Sequence, residues 1–245
     1  MDGAGVHEVI IDSPAHDREL ADLDPLHVQD VLRTWCDRIR SIESEAQYRY
    51  IQLFKNNGKE AGASLRHPHT QVIALPIVPK RVEEEVRTAE RHFHGTGECL
   101  YCRTSREEMD SRERLIAVNP HFVAIAPFAS AFPFEMRIQP LRHNPFFSET
   151  REAEFPALAD LLKGLLGALK SIMDDPPFNI VLHQPPSPAA VRSASTEVER
   201  TCHWSLDIIP ILTRVAGFEW GTDFYINPVP PETAARFLKE KIGRP

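Results

Sequence analysis

Hydrophobic and polar positions follow two different periods along this chain, and each period predicts one kind of element. Short β-branched or alternating runs predict strands at residues 6–11, 48–54, 69–77, 115–119, 122–127, 134–139, 178–183, 202–209 and 224–227. Apolar residues at helical spacing, or charged runs with helix boundaries, predict helices at 23–44, 79–94, 150–174 and 232–241. Parallel sheets would need a crossover helix after nearly every strand. The pattern therefore predicts antiparallel sheets in an α+β fold.

The order of these elements repeats along the chain. Each half contains a strand, an amphipathic helix, a further strand, a loop and then a strand opened by a histidine. The loops of this repeat are the polar, Gly-containing stretch 55–66 and the Pro- and Ser-rich stretch 184–195. This is a repeat of supersecondary order rather than of sequence. We expect a first half over residues 1–97 and a second half over 98–245.

Composition and charge exclude several classes of protein. The 245 residues are 42% hydrophobic, which is enough for a buried core. The formal net charge of −7 is spread without long blocks of one sign, which argues against nucleic-acid binding and against a polybasic membrane surface. No apolar run approaches the ~18 residues of a membrane span, and the N-terminus lacks a signal-peptide pattern. We expect a cytoplasmic protein that binds neither nucleic acid nor a membrane.

Cysteine usage adds a first indication of chemistry. The four cysteines contain one close pair, Cys99 and Cys102. They are too few for a disulfide scaffold in a chain of this length, so in a reducing compartment the pair indicates metal or redox chemistry. A Cys-x-x-Cys spacing lets two thiolates hold one tetrahedral ion from a tight loop.

The most informative stretch runs from Asn56 to Gln71 and joins a loop of Gly, Ala and Ser residues to the sequence His-Pro-His-Thr-Gln. On a strand, His67, His69 and Gln71 point to one face, beside a loop small enough for a phosphate to approach backbone N–H groups. An imidazole can attack phosphorus and leave again, and a neighbouring amide can donate to a phosphoryl oxygen. Three polar residues on a solvent-facing strand are the alternative. The residues alone predict phosphorus chemistry at His69.

These motifs resemble those of the galactose-1-phosphate uridylyltransferase family, within the histidine-triad superfamily. The resemblance rests on Phe-x-Asn-x-Gly followed by Gly-Ala-Ser-x-x-His-Pro-His-x-Gln, on Ser-Pro-x-His at 13–16, on Ala-Pro-Phe at 126–128 with Phe-Pro-Phe-Glu at 132–135, and on His-Trp at 203–204 with Gly-Phe-Glu at 217–219. It covers most of the chain. It implies two histidine-triad-like halves with antiparallel sheets and flanking helices, in a pseudo-symmetric unit that forms a homodimer.

The resemblance also implies a reaction and its residues. His69 corresponds to the histidine that becomes uridylylated, and Gln71 to the glutamine that separates the transferases from the hydrolases of the superfamily. The corresponding nucleotide-sugar phosphate contacts are Asn56, Gly62, Ala63 and Ser64, and the second-half substrate contacts are Phe218 and Glu219. His69 would attack the α-phosphorus of a nucleotide sugar, release hexose 1-phosphate and pass the nucleotidyl group to a second sugar 1-phosphate, as in galactose metabolism. Ser205 takes the place equivalent to His69, so the second half should lack a nucleophile.

Zinc is the cofactor that the resemblance implies, at two sites. The first site of the family uses a Cys-x-x-Cys and two histidines that correspond to His16 and His67, but no cysteine precedes His16 in this chain. We expect this site to be empty, or completed by water or a partner chain, or the chain to be a truncated form. The corresponding ligands of the second site are Cys99, Cys102, His143 and His203.

Two other functions stay open on the sequence. One is a related ADP-sugar phosphorylase or adenylyltransferase, which would use the same histidine with another nucleotide sugar. The other is a zinc-stabilised nucleotide-binding protein without turnover. The intact His-Pro-His-x-Gln motif favours an enzyme, and the missing cysteine pair favours the binding protein.

Overall fold

The computed structural model describes residues 3–194 and 197–242, in which all the strands join one antiparallel sheet. The strands are β1 (Val6–Ile11), β2 (Tyr50–Asn57), β3 (His69–Leu75), β4 (Leu115–Val118), β5 (Phe122–Ile125), β6 (Met136–Pro140), β7 (Phe178–His183) and β8 (Ser205–Pro210). Their order across the sheet is β1-β3-β2-β7-β8-β6-β5-β4. Helices flank the sheet, so the predicted α+β class is confirmed.

The helices differ in length and in the part of the sheet that they cover. They are α1 (Pro25–Glu43), α2 (Lys80–Thr96), α3 (Leu100–Ser111), α4 (Phe155–Met173), α5 (Pro188–Ala194), α6 (Val198–Thr201), α7 (Gly217–Thr222) and α8 (Pro231–Lys241), with 3-10 turns at Phe147–Glu149 and Glu152–Glu154.

Helix α1 begins at Pro25 because the residue before it caps the helix. The Asp24 side chain accepts a hydrogen bond from His27 N at 3.0 Å, and proline is well suited to the first helical turn.

The hydrophobic core lies between one face of the sheet and helices α1 and α4. Alternate strand residues such as Leu53 and Val72 are fully buried there, together with Trp35 of α1 and Leu162 of α4. Each large apolar side chain buried in this way contributes about 1.5–3 kcal/mol. The opposite face of the sheet is therefore left for other residues, and His69 and Gln71 lie on it because strand side chains alternate.

The opposite face is covered in the second half and open in the first. Helices α2 and α3 lie against it over β6 to β8, where they line a small cavity together with strand residues. On the edge strand β1, the side chains of Val9 and Ile11 on this face remain 48% and 56% exposed. This face of the sheet is therefore open to solvent along β1, next to His69, which is itself 3% exposed.

The two predicted halves share one continuous sheet. Strands β2 and β7 pair antiparallel, with Phe54 opposite Val181 and Asn57 opposite Phe178. Backbone hydrogen bonding therefore runs from the first half into the second without a break. The division at residue 97 stays a prediction about sequence organisation.

One predicted strand is wrong, and three begin later than expected. Strand β2 begins at Tyr50 rather than at 48 and runs on to Asn57, into the predicted loop, and β6 begins at Met136 rather than at 134. Residues 224–227 have no strand partner in the described sheet, and Phe224 and Ile226 are 71% and 65% exposed. Strand β8 begins at Ser205 rather than at 202, because Trp204 N donates to Asn144 O at 3.0 Å and holds this segment outside the sheet. The predicted helix at 150–174 begins at Phe155, after the two 3-10 turns.

Four helices were not predicted. Helix α6 is a single turn of four residues, which is too short to show a hydrophobic period. Helix α3 has the polar side chains of Ser105 and Glu108 on its buried side, so no hydrophobic period marks it. Helix α5 lies within the predicted loop at 184–195, whose last residue is outside the described residues. Helix α7 has no buried residue and so leaves no hydrophobic pattern either. None of the described helices is long and apolar enough to cross a membrane.

Candidate active site and metal centre

His69 is the first residue of β3 and is held in one ring orientation by its own strand. It lies opposite Ile11 of β1, and its side chain is buried. His69 Nδ1 lies 2.8 Å from the backbone oxygen of His67. A carbonyl oxygen can only accept, so Nδ1 carries the hydrogen. The other ring nitrogen, Nε2, has no hydrogen-bond partner in the described part of the chain and keeps its lone pair for an incoming electrophile.

Gln71 stands two residues further along the same face of β3. Its Oε1 lies 2.9 Å from His7 Nε2 on the neighbouring edge strand β1. Within the described residues its amide nitrogen has no partner, so both N–H groups are available to an oxygen beside His69. His7 was not singled out by the sequence, because nothing marks it until the pairing of β1 with β3 is known.

The Gly-Ala-Ser loop is folded by its own hydrogen bonds. Gly58 and Gly62 have φ of 86° and 87°, a region that L residues with side chains avoid. The N–H groups of Gly62 and Ala63 donate to Lys59 O at 3.0 Å and Gly58 O at 3.1 Å. These two amides are thus occupied within the loop. Of the three predicted contacts in the loop, Ser64 is the one whose N–H has no partner in the described structure.

Asn56 links this loop to the second half of the sheet. Its Oδ1 accepts a hydrogen bond from Asn179 Nδ2 at 2.8 Å, and the same nitrogen donates to Ala61 O at 2.8 Å. Asn179 lies on β7 and carried no sequence signal beyond its place on a predicted strand. The loop, Asn56 and His67 line a cleft of about 650 Å³ that reaches Pro68, the residue before His69. This cleft has room for a phosphorylated ligand.

Four side chains from three separate segments converge on the second predicted metal site. Cys99 precedes α3, Cys102 lies in its first turn, His143 follows β6, and His203 lies two residues before β8. Their ligand atoms all lie within 4.8 Å of one another. His203 Nε2 lies 3.0 Å from His143 Nδ1 and 3.1 Å from Cys102 Sγ. The structure thus brings together all four residues that the resemblance selected.

The donor set fits a tetrahedral zinc ion. His143 Nε2 lies 2.9 Å from Glu199 O, so this nitrogen carries the hydrogen and Nδ1 is free to face the centre. The hydrogen bond from the Cys102 thiol lowers the pKa of Cys99, and the nearby Cys99 thiolate raises that of Cys102. Zn²⁺ takes two thiolate sulfurs and two imidazoles, and its charge would favour loss of the Cys102 proton as well.

His16 and His67 converge as well. Their Nδ1 atoms lie 2.7 Å apart and their rings meet edge to face, while His67 Nε2 lies 2.6 Å from Ser13 O. The described residues contain no group of three or more metal-ligating side chains at this place. Two imidazoles alone satisfy half of a tetrahedral zinc ion.

We predict that metal bound between His16 and His67 is weak and easily removed. Two imidazoles bind far less tightly than four ligands with two thiolates. Mild chelation followed by metal analysis should leave about one zinc per chain at most, all of it dependent on Cys99 and Cys102. Two tightly retained zinc ions would show that a further residue completes the first site.

The equivalent position in the second half has a different structure. Ser205 lines the cavity beneath α2 and α3, which has a volume of about 160 Å³. Asp207, two residues further on, accepts two hydrogen bonds of 2.7 Å from the Arg137 guanidinium and lies 3.3 Å from His183 Nε2. At the position equivalent to Gln71, the second half therefore has a carboxylate whose charge is paired with Arg137.

The remaining predicted residues, Phe218 and Glu219, lie on α7. Phe218 is 53% exposed, and Glu219 Oε2 accepts a hydrogen bond from Ala216 N at 3.0 Å. No hydrogen bond or ion pair within the described structure joins either residue to β3 or to the Gly-Ala-Ser loop. Within the described structure of one chain, neither residue therefore has a polar contact with the predicted phosphate site.

Comparisons with known proteins agree with this fold. Residues 2–79 match the family described as galactose-1-phosphate uridyl transferase, N-terminal domain. ADP-glucose phosphorylase from Arabidopsis thaliana is 39% identical over 238 residues, which cover 97% of this chain and 65% of that protein. Galactose-1-phosphate uridylyltransferase from Thermotoga maritima is 31% identical over 243 residues, which cover 96% of this chain and 74% of that protein.

A solved structure shows the same architecture. The crystal structure of an ADP-glucose phosphorylase from Arabidopsis thaliana with bound ADP-glucose matches with a TM-score of 0.88 at 39% identity, covering 96% of this chain and 73% of that one. The chain spans about two thirds of the plant protein's full length. Because the 31% identity to the Thermotoga maritima enzyme extends over 96% of this chain and 74% of that protein, the chain belongs to the galactose-1-phosphate uridylyltransferase family.

Proposed function

We propose that this protein transfers a nucleoside monophosphate from a nucleotide sugar to a phosphate acceptor through a covalent nucleotidyl-His69. The observation that carries the proposal is the state of the His69 ring. Its Nδ1 hydrogen is committed to His67 O at 2.8 Å, so Nε2 is left as the nucleophile. Family membership supports the same chemistry, since the relatives named above are enzymes acting on nucleotide sugars or sugar 1-phosphates.

The first step forms one bond and breaks one. The lone pair of His69 Nε2 attacks the α-phosphorus, and the bond from this phosphorus to the bridging oxygen breaks, so that sugar 1-phosphate leaves with the electron pair. The free N–H groups of Gln71 donate to a phosphoryl oxygen as charge develops on it. Ser64 at the mouth of the cleft provides a further N–H donor for a phosphate.

The second step reverses the first with another acceptor. A phosphate oxygen attacks the phosphorus of the adduct, and the bond to His69 Nε2 breaks. An anionic phosphate needs no general base, whereas water does. An amide such as Gln71 cannot take a proton from water, so its presence in place of a third histidine favours transfer to phosphate over hydrolysis.

Two nucleotide sugars are candidate donors. UDP-glucose, with galactose 1-phosphate as acceptor, is our first candidate, in keeping with the family. ADP-glucose is the second, because the 39% identical relative from Arabidopsis thaliana is an ADP-glucose phosphorylase. With that donor, the acceptor of the adenylyl group would be a second phosphate compound.

Intact-mass spectrometry after incubation with a panel of nucleotide sugars tests the proposal and selects the base. We expect a covalent mass increase equal to UMP with UDP-glucose, or to AMP with ADP-glucose, and peptide mapping should place it on His69. An adduct on another residue would contradict the mechanism. Nucleotide binding without any adduct would favour the zinc-stabilised binding protein instead.

We further propose that the working form is a homodimer. Residues 212–226 expose several large apolar side chains on one stretch of chain: Leu212, Phe218, Trp220, Phe224, Tyr225 and Ile226. Exposed apolar side chains gathered on one segment are typical of a surface that binds another protein. A second copy that covers this stretch would also place Phe218 and Glu219 at the interface, where they could reach a substrate bound to the partner.

Zinc at the second site completes the proposal. Cys99, Cys102, His143 and His203 would hold it, and its part would be to fasten α3 to the segments that follow β6 and precede β8. These four residues lie in the second half, away from His69 in sequence. We therefore assign zinc a structural part and no chemical step.

A further inference from the structure

The turn that follows β1 contacts the chain on both sides of His69. Three contacts make this connection: Asp12 N to Pro68 O at 3.1 Å, Ser13 O to His67 Nε2 at 2.6 Å, and Thr70 Oγ1 to Asp12 Oδ1 at 2.8 Å. Pro68 precedes His69 and Thr70 follows it. The backbone of the nucleophile is thus tied to one turn from both directions.

A buried ion pair fixes the Asp12 carboxylate. Asp12 Oδ2 lies 3.0 Å from Lys55 Nζ, and the side chains are 0% and 1% exposed. Lys55 also contacts Glu19 at 3.0 Å, and the backbone oxygen of Asp12 lies 2.8 Å from His27 Nε2. Removing one member of a buried pair leaves an uncompensated charge, so the arrangement has little freedom to move. Glu19 also lines the candidate substrate cleft, whereas neither Asp12 nor Thr70 does.

We propose that Asp12 and Thr70 are positioning residues for His69: the carboxylate held by Lys55 fixes the start of β3 through the Thr70 hydroxyl and keeps the His69 ring aligned for attack. This inference rests on the proposed function. It adds to that function a role for residues on the core side of the sheet, opposite the reacting face.

The physical reason lies in the ring orientation. His69 keeps Nε2 free because Nδ1 donates a hydrogen bond to His67 O. The length of this hydrogen bond depends on the backbone positions of residues 67 to 70. The Thr70 side chain points to the opposite face of β3 from His69. The two residues are joined by a peptide bond, so a hydrogen bond that fixes Thr70 also fixes the backbone of His69. Small misplacements of a nucleophile cost large factors in rate, whereas ground-state binding of the substrate is less sensitive to them.

A matched pair of variants tests the proposal. Thr70→Val removes the hydroxyl and keeps the branched shape, while Thr70→Ser keeps the hydroxyl. We expect Thr70→Val to slow formation of the His69 adduct about tenfold at saturating nucleotide sugar, with the half-saturating concentration unchanged, and Thr70→Ser to stay within about twofold of the wild type. A Val variant with the wild-type rate, or a Ser variant as slow as the Val variant, would overturn the proposal.

A control separates positioning from a general loss of stability. Glu8→Gln breaks the ion pair of Glu8 with Arg38, at 2.6 and 2.8 Å, on the same strand β1 but without contact to the turn. We expect this variant to lose stability in urea yet to form the adduct at the wild-type rate. If it slows the adduct as much as Thr70→Val does at a comparable loss of stability, Thr70 has no positioning role.

A second readout does not depend on activity. Nitrogen-15 NMR of labelled histidine should show His69 protonated at Nδ1 in the wild type and in Thr70→Ser, and a mixture of tautomers in Thr70→Val. If the wild type forms no adduct with any nucleotide sugar, the proposed function fails while this comparison still tests the positioning. An unchanged His69 signal in the Val variant would overturn it.

Discussion

Replacing His69 with asparagine is expected to abolish the nucleotidyl adduct and to lower exchange between nucleotide sugar and sugar 1-phosphate by on the order of 10⁴-fold or more. Asparagine keeps a polar group of similar reach, but an amide nitrogen has no lone pair available to attack phosphorus. The covalent route is then closed, and direct transfer must overcome the whole barrier in one step. Intact-mass spectrometry and exchange of labelled sugar 1-phosphate measure the two effects.

The matched control is the same substitution elsewhere. His94 lies on the exposed side of α2, where its imidazole lies 3.4 Å from Glu197 and edge to face with Phe93, so His94→Asn should keep full exchange activity. Ser205→Ala, at the equivalent place in the second half, should retain exchange as well. Exchange activity that survives in His69→Asn would contradict the double displacement.

The second large effect is expected at the cysteine pair. Changing both Cys99 and Cys102 to serine should remove the tightly held zinc, lower the free energy of unfolding by on the order of 5 kcal/mol, and lower Tm by roughly 10–20 °C. In the wild type the metal would join three segments that are far apart in sequence. Its binding energy would then contribute directly to the stability of the fold. Metal analysis and thermal unfolding of the same samples measure both quantities.

Cys202→Ala provides the control for this pair. Cys202 is next to His203 but packs in an apolar cluster with Val86 and Val198. We expect this variant to retain one zinc per chain and to lose only the small contribution of a buried thiol. Wild-type protein that binds no zinc, or a double serine variant with unchanged Tm, would show that the four side chains form no metal centre.

Much of this protein is readable from local sequence. Strands β1 and β7 begin and end at the residues that the hydrophobic pattern predicts, Val6–Ile11 and Phe178–His183, because alternation along a short run directly reflects a half-buried strand. The loop and the His-Pro-His-x-Gln sequence predict the reacting strand for the same reason, since a single segment contains both the nucleophile and its neighbour Gln71. The α+β class follows from the spacing of strands and helices alone.

Elements without a hydrophobic period could not be read in this way. Helix α3 buries polar side chains, and the strand predicted at 224–227 is apolar but has no partner strand among the described residues. An apolar run becomes a strand only when another strand supplies its hydrogen bonds. The availability of that partner is a property of the whole sheet.

The sequence by itself therefore determined the local elements, the nucleophile strand and, through the family resemblance, the four residues of the second metal site. The tertiary structure decided which distant groups meet. It placed His7 beside Gln71, Asn179 beside Asn56, and the Asp12 and Lys55 pair behind His69. These contacts join segments tens of residues apart, and their formation depends on strand pairing and burial across the sheet rather than on any local pattern.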